Sequence, residues 1–209
     1  HLFRNEEILW KYSLKKDSRQ LSQVGGKKAE NVFGYLADIF GFSISAEFSE
    51  KYEVLLGDLN KKDYYKLSQT MFEVISSKAK QKAASNPDEY VKQILESLKK
   101  AAISDESNID LLNFEKNRFR LLGFDDIIDK FKGVSFCSGV YTTSKGGVPY
   151  LVVYDASDGS KDSCPVKRSD GRILFTVRPK WESGPPPVLR YYLEYGELMD
   201  TYLTRVAKQ

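Results

Sequence analysis

Residues 134–155 read VSFCSGVYTTSKGGVPYLVVYD. Two runs rich in β-branched and aromatic side chains, 134–143 and 148–155, flank Ser144-Lys145-Gly146-Gly147, and this order predicts an antiparallel hairpin. Tyr150, Val152 and Tyr154 alternate with their neighbours and so share one side of their strand. Sixteen turn-rich residues follow, 156–171, with two Asp-Gly pairs, and 173–177 predicts a further strand. Ser183-Gly184-Pro185-Pro186-Pro187 reads as a stiff extended connector. It leads to a final helix, expected because Val188, Tyr192, Tyr195, Met199, Tyr202 and Val206 recur alternately four and three residues apart.

Upstream of Gly133 the texture is helical. Asn5-Glu6-Glu7 places a capping side chain and two carboxylates before an apolar run, as at a helix N-terminus. Beyond Gly25-Gly26, the residues Ala29, Val32, Phe33, Leu36, Ile39 and Phe40 keep helical spacing up to a stop at Gly41. Residues 42–56 alternate like a hairpin. Asn60 is placed to cap a helix whose face is Tyr64, Leu67, Met71, Val74/Ile75 and Lys78. Asn86-Pro87-Asp88-Glu89 supplies a cap, a proline where no N–H is needed and two acids at the positive helix end. It predicts a helix from Pro87 to about Ala102. Further helices are expected from Asp105 to Leu122 and over 125–132.

Helices first and strands after, without regular alternation, predict an α+β fold. A mainly helical region, 1–133, precedes a β-hairpin-containing region, 134–209, whose small antiparallel sheet is closed by a C-terminal helix. The short junction at Gly133 favours one compact domain over two separate halves.

Composition narrows the chemistry. The 209 residues, 41% apolar and 29% charged, suffice for a proper core. No apolar run is long enough for a membrane span, so no membrane association is expected. His1 is the sole histidine, which leaves hydrolase triads without a base and most zinc sites without a ligand. Cys137 and Cys164 are expected as reduced thiols, not joined to each other, in a cytoplasmic protein. The chain opens on His1 without a signal-peptide apolar region, as expected of a chain trimmed upstream.

The net charge of +3 is concentrated late in the chain. Over 134–181, seven basic residues (Lys145, Lys161, Lys167, Arg168, Arg172, Arg178, Lys180) face four acids (Asp155, Asp158, Asp162, Asp170) and interleave with aromatics. Cations neutralise phosphate and flat rings stack on bases, so this mixture is what nucleic acids require. The expected nucleic-acid-binding residues are Tyr141, Lys145, Tyr150, Tyr154, Lys167, Arg168, Arg172, Arg178, Lys180 and Trp181.

Other motifs carry less. Gly25-Gly26-Lys27-Lys28 and Lys145-Gly146-Gly147 set glycine amides beside lysine, but neither has P-loop spacing. Asp155, Asp158 and Asp162 form an oxygen-rich segment that fails the EF-hand pattern at Ser163 and Ser169. Gly139-Val140-Tyr141 and Tyr150-Leu151-Val152 resemble the paired tripeptides of the GIY-YIG nucleases over some fourteen residues. The second tripeptide ends in Val152 instead of glycine and no helix is legible between it and Arg172, so that family is not assigned. No cofactor or metal is expected, and no catalytic residue is legible, so the sequence leaves open whether the chain is an enzyme. The leading expectation is a nucleic-acid-associated protein using residues 141–181, for DNA or RNA. The alternatives are a non-catalytic protein–protein adaptor or assembly component, and a histidine-free metal-dependent nuclease using Asp155, Asp158 and a nearby basic residue.

Overall fold

In chain order the strands are β1 (Leu2–Arg4), β2 (Glu7–Lys16), β3 (Gln20–Gly26), β4 (Ile109–Glu115), β5 (Arg118–Leu122), β6 (Phe136–Thr142), β7 (Pro149–Asp155), β8 (Ile173–Pro179), β9 (Leu189–Tyr195) and β10 (Thr204–Val206). The helices are α1 (Ala29–Ile39), α2 (Lys61–Ser85), α3 (Pro87–Ile103) and the short α4 (Glu197–Asp200). The computed structural model describes residues 2–4, 7–16, 19–26, 29–43, 59–103, 109–115, 118–122, 131, 133–159, 163–167, 170–181, 189–200 and 204–206. For 2–4, 7–16, 29–30, 101–103, 109–115, 118–122, 200 and 204–206 the backbone alone is described.

The fold is mixed α+β, with the three long helices preceding four of the five strands of the main sheet. The expected hairpin is β6 and β7, in register from Phe136↔Asp155 to Thr142↔Pro149. Thr143 closes its turn: the hydroxyl accepts from the Val148 N–H at 3.0 Å and donates to the Lys145 carbonyl at 3.0 Å. The pairing continues through β8 and β9 to β3, giving the order β3-β9-β8-β7-β6, antiparallel throughout. A second sheet, β1-β2-β4-β5-β10, is mixed, since β2 and β4 run parallel.

Alternation gives the antiparallel sheet two distinct faces. Leu151, Val153, Phe175, Val177, Leu189, Tyr191, Leu193 and Tyr195 point inward and are almost fully buried. Against them α2 covers β6 and β7, while α1 lies on β3 and β9 and α3 reaches β3. The helices contribute Phe33, Leu36, Phe40, Tyr64, Met71, Phe72, Ile75, Ile94 and Leu98, so one core joins residues from both sides of Gly133. Burying each such side chain stabilises the fold by roughly 1.5–3 kcal/mol.

The helix signals act as their chemistry requires. The Asn60 carboxamide oxygen accepts from the N–H groups of Lys62 and Asp63 at 2.9 and 3.0 Å. Asn86 ends one helix and starts the next: its N–H donates to the Lys82 carbonyl, and its carbonyl accepts from the Tyr90 N–H. Gly41 stops α1 at a φ of 71°, its carbonyl held by the Lys82 ammonium at 2.7 Å. Polar groups on the buried face of α2 are satisfied locally. Ser68 bonds the Tyr64 carbonyl and the Tyr191 hydroxyl, and Ser138 of β6 donates to the Ser76 carbonyl.

Three expected helices are corrected. The segment after Asn5-Glu6-Glu7 is β2, because Ile8, Trp10, Tyr12 and Leu14 alternate with Lys11, Ser13 and Lys15 at the strand period. Residues expected as the 105–122 helix contain β4 and β5, antiparallel with Phe114↔Phe119 in register. The expected final helix contains β9, where Leu189, Tyr191, Leu193 and Tyr195 fill the core at a period of two, and β10; among its described residues only Glu197–Asp200 is helical. The expected hairpin at 42–56 and helix at 125–132 lie essentially outside the described residues. Among the described residues no helix is long and apolar enough to cross a membrane.

Candidate functional site

The outer face of the antiparallel sheet carries the basic and aromatic side chains. Tyr141 pairs with Tyr150, and Leu151↔Val177 sets Tyr150 beside Arg178. Arg178 pairs with Tyr192, and Tyr192 with Gln23. One lateral row therefore runs Tyr141–Tyr150–Arg178–Tyr192–Gln23 across all five strands. Its members other than Gln23 are half-buried, and Gln23 is exposed.

The row is tightly organised. The Tyr141 and Tyr150 rings lie parallel, 4.9 Å apart at an interplanar angle of 4°. The Arg178 guanidinium sits 4.9 Å over the Tyr192 ring. Glu194 holds it from below, accepting from Nε and Nη2 at 3.2 Å each. Burial alone would lower the Arg178 pKa, but the Glu194 bonds and charge outweigh it and keep the guanidinium above its ordinary value. Lys180 follows Pro179 onto the same face and donates its ammonium to the Tyr192 hydroxyl at 2.6 Å. Arg190 lies across Gly25, its Cγ 3.4 Å from where a Cβ there would stand. The backbone of Arg190 is clamped by Tyr64 of α2, whose hydroxyl donates to its carbonyl at 2.5 Å and accepts from its N–H at 3.1 Å. Arg178, Lys180 and Arg190 thus bring three positive charges to this end, against the Glu194 carboxylate.

The other end of the same face is covered. Cys137, Val152, Tyr154, Ala156 and Ile173 form a small buried cluster, with Cys164 packed on it. Gly139 makes this approach feasible, because a Cβ there would stand 2.5 Å from the Cys164 Sγ. Arg172 lies 5.9 Å from the Tyr154 ring and is paired with Asp170 at 3.2 Å. Burial pushes the Tyr154 phenol up and the Cys164 thiol up to about 11, while the Arg172 hydrogen bonds hold Asp170 below its usual value. Beside this cover is an open pocket of about 250 Å³, lined by Ser163, Cys164, Pro165, Val166, Lys167, Asp170 and Arg172.

The sequence-predicted residues are thus dispersed over several places. Tyr141, Tyr150, Arg178 and Lys180 come together on the open end. Lys167 and Arg172 sit at the pocket, and Lys145 is exposed in the hairpin turn. Tyr154 is fully buried and has no ring face to offer. Trp181 packs on the opposite side, 5.7 Å from the Tyr64 ring. Arg168 lies outside the described residues. Sequence reasoning missed Tyr192, Arg190 and Glu194. Their i, i+2 spacing carried the signal, but the helical reading of 188–206 concealed it.

The other motifs are structural where described. Asp155 accepts from the Ser157 N–H at 2.8 Å and from its hydroxyl at 2.5 Å, closing a turn. Gly25-Gly26 ends β3, with Gly25 opposite Arg190. The Cys137 and Cys164 thiols are not joined. Among the described residues no three His, Cys, Asp or Glu side chains converge on one point. Comparison of the chain with protein-family models, curated proteins and solved structures finds no significant match.

Proposed function

We propose that this protein binds nucleic acid through the open end of the outer sheet face. The observation that carries the reading is the row Tyr141–Tyr150–Arg178–Tyr192, with Lys180 and Arg190 beside it. Rings and cations alternate there within reach of one ligand. The rings offer stacking surface and the cations offer phosphate neutralisation. Lys145, exposed in the hairpin turn, and Lys167 and Arg172, at the pocket on the covered end, lie outside the row. No residue in this reading performs catalysis. The thiols of Cys137 and Cys164, not joined to each other, support a reducing compartment, and the cytoplasm is the proposed location.

Tyrosine and arginine are also the residues that anchor protein–protein interfaces, and the Arg178–Glu194 pair moderates the charge of the row. A protein–protein adaptor is therefore the second reading. Fluorescence anisotropy with labelled DNA and RNA oligonucleotides at two salt concentrations separates the two. Binding that weakens steeply with salt is the expected result. Absence of binding to every oligonucleotide would set the nucleic-acid reading aside in favour of the adaptor.

A further inference from the structure

The geometry of the row points to a single strand with splayed bases as the ligand, in preference to a duplex; this inference rests on the nucleic-acid reading above. Three features argue for it. The first is the spacing of the rings. Tyr150 and Tyr192 sit on β7 and β9, separated by β8, so two strand intervals of about 4.8 Å put their backbones roughly 10 Å apart. Stacked bases along a duplex strand are about 3.4 Å apart. Neighbouring stacked bases cannot engage both sites, whereas an extended strand with unstacked bases reaches the Tyr141–Tyr150 pair and then the Arg178–Tyr192 stack.

The second feature is shape. Reading a duplex groove takes a helix or a two-stranded ribbon in a major groove about 12 Å wide. Five strands span roughly 19 Å, too broad to enter. The helices α1, α2 and α3 pack against the sheet or one another from the inner side, so among the described residues the outer face presents no helix to a groove. The third feature is charge. Arg178, Lys180 and Arg190 against Glu194 make a modest positive end, matched to a few phosphates and not to the dense double row of a duplex.

In the resulting arrangement the strand crosses the sheet laterally. One base rests against the Tyr141–Tyr150 pair, and a second against Arg178 where it covers Tyr192. Lys180 and Arg190 meet the phosphates at this end. The tyrosine hydroxyl is dispensable at position 150, since stacking uses only the ring.

The test is anisotropy with a fluorescein-labelled 12-nucleotide single strand, as DNA and as RNA, and the DNA duplex of the same sequence. Single strands are expected to bind at least tenfold tighter than the duplex. Tyr150→Ala and Tyr192→Ala are each expected to weaken single-strand binding by roughly five- to a hundredfold. Tyr150→Phe is expected to stay within about twofold of wild type, because it keeps the stacking ring. Equal or tighter duplex binding would overturn the single-strand inference while leaving the nucleic-acid reading intact. No binding to any oligonucleotide would overturn both. Single-strand binding unchanged in both alanine variants would overturn its placement on this row. If an alanine variant fails to fold, photocrosslinking of a 5-iodouracil single strand to the wild-type protein decides. Crosslinks on Tyr141, Tyr150 or Tyr192 support the inference, and crosslinks solely elsewhere overturn it.

Discussion

Tyr150 and Tyr154 stand on one strand, four residues apart, and face the same side of the sheet. Tyr150 is half-exposed and stacked on Tyr141, whereas Tyr154 is fully buried beneath Cys164 and Arg172. Alternation assigns both to the outer face, but it does not say what lies over that face. The difference comes from Cys164, which packs against the glycine at position 139 and the cluster around Tyr154. Local pattern thus places an aromatic on a face, and a distant loop determines whether its ring is core or surface.

The largest expected effect tests this contrast directly. Tyr154→Ala should cost about 3–5 kcal/mol of stability, the range for removing a fully buried aromatic. Tyr150→Ala should cost only about 0.5–1.5 kcal/mol, the worth of an aromatic pair on a half-open face. Urea unfolding of both variants measures the difference, and equal losses would break the comparison.

Next in size is the loop seat. In Gly139→Ala the new methyl would meet the Cys164 Sγ at 2.5 Å and its Cβ at 2.7 Å. Overpacking of this kind costs about 1–3 kcal/mol, and here it should also loosen the cover. Iodoacetamide should then modify Cys164 faster than in wild type. An unchanged rate would mean that the loop does not depend on the glycine.

A smaller effect follows from the covered thiol. Burial raises Cys164 from an ordinary value of 9 to about 11, so the folded state favours the protonated form. Its contribution to stability is complete below pH 9 and is lost as pH rises from 9 to 11. The stability difference between wild type and Cys164→Ser should therefore shift against wild type across that window, while staying constant between pH 6 and 8. Urea unfolding at stepped pH reads it. The smallest effect is expected at the hairpin turn. Lys145→Glu should change stability by less than about 0.5 kcal/mol, because its side chain is exposed and away from the core.

Much of the architecture was legible where chemistry is local. The 134–155 hairpin, the strand at 173–177, the Asn60 cap and the Asn86-Pro87 start all follow from short-range rules, and each is present. Most of the failures share one cause. Residues 7–16, 109–115, 118–122 and 189–195 are strands, several through partners far away in sequence, such as β3 against β9 and β2 against β4. Val188, Tyr192, Tyr195 and Met199 match a helical period, while Leu189, Tyr191, Leu193 and Tyr195 match a strand period in the same segment. Pairing with β8 and β3 settles that ambiguity, and no local signal does. The candidate site was half legible for the same reason. Tyr141, Tyr150, Arg178 and Lys180 were visible as a basic-aromatic run, but Tyr192 and Arg190 join them only through β9. Tyr154 and Trp181 share that composition and are withdrawn from the face by packing.

We propose that the open end of the outer face, and not the basic loop beside it, holds the nucleic acid. Two double variants compared with wild type on one labelled single strand test it most directly. Lys180→Glu with Arg190→Glu alters the row, and Lys167→Glu with Arg168→Glu alters the loop. The row variant should melt within about 2 °C of wild type, since half-exposed charges contribute little to folding. The row variant should bind at least tenfold more weakly. Its plot of log affinity against log salt should be shallower by about 1.4, because each phosphate contact on a single strand contributes about 0.7. The loop variant should lose no more than about threefold. Undiminished binding by the row variant, or a larger loss in the loop variant, would contradict the account.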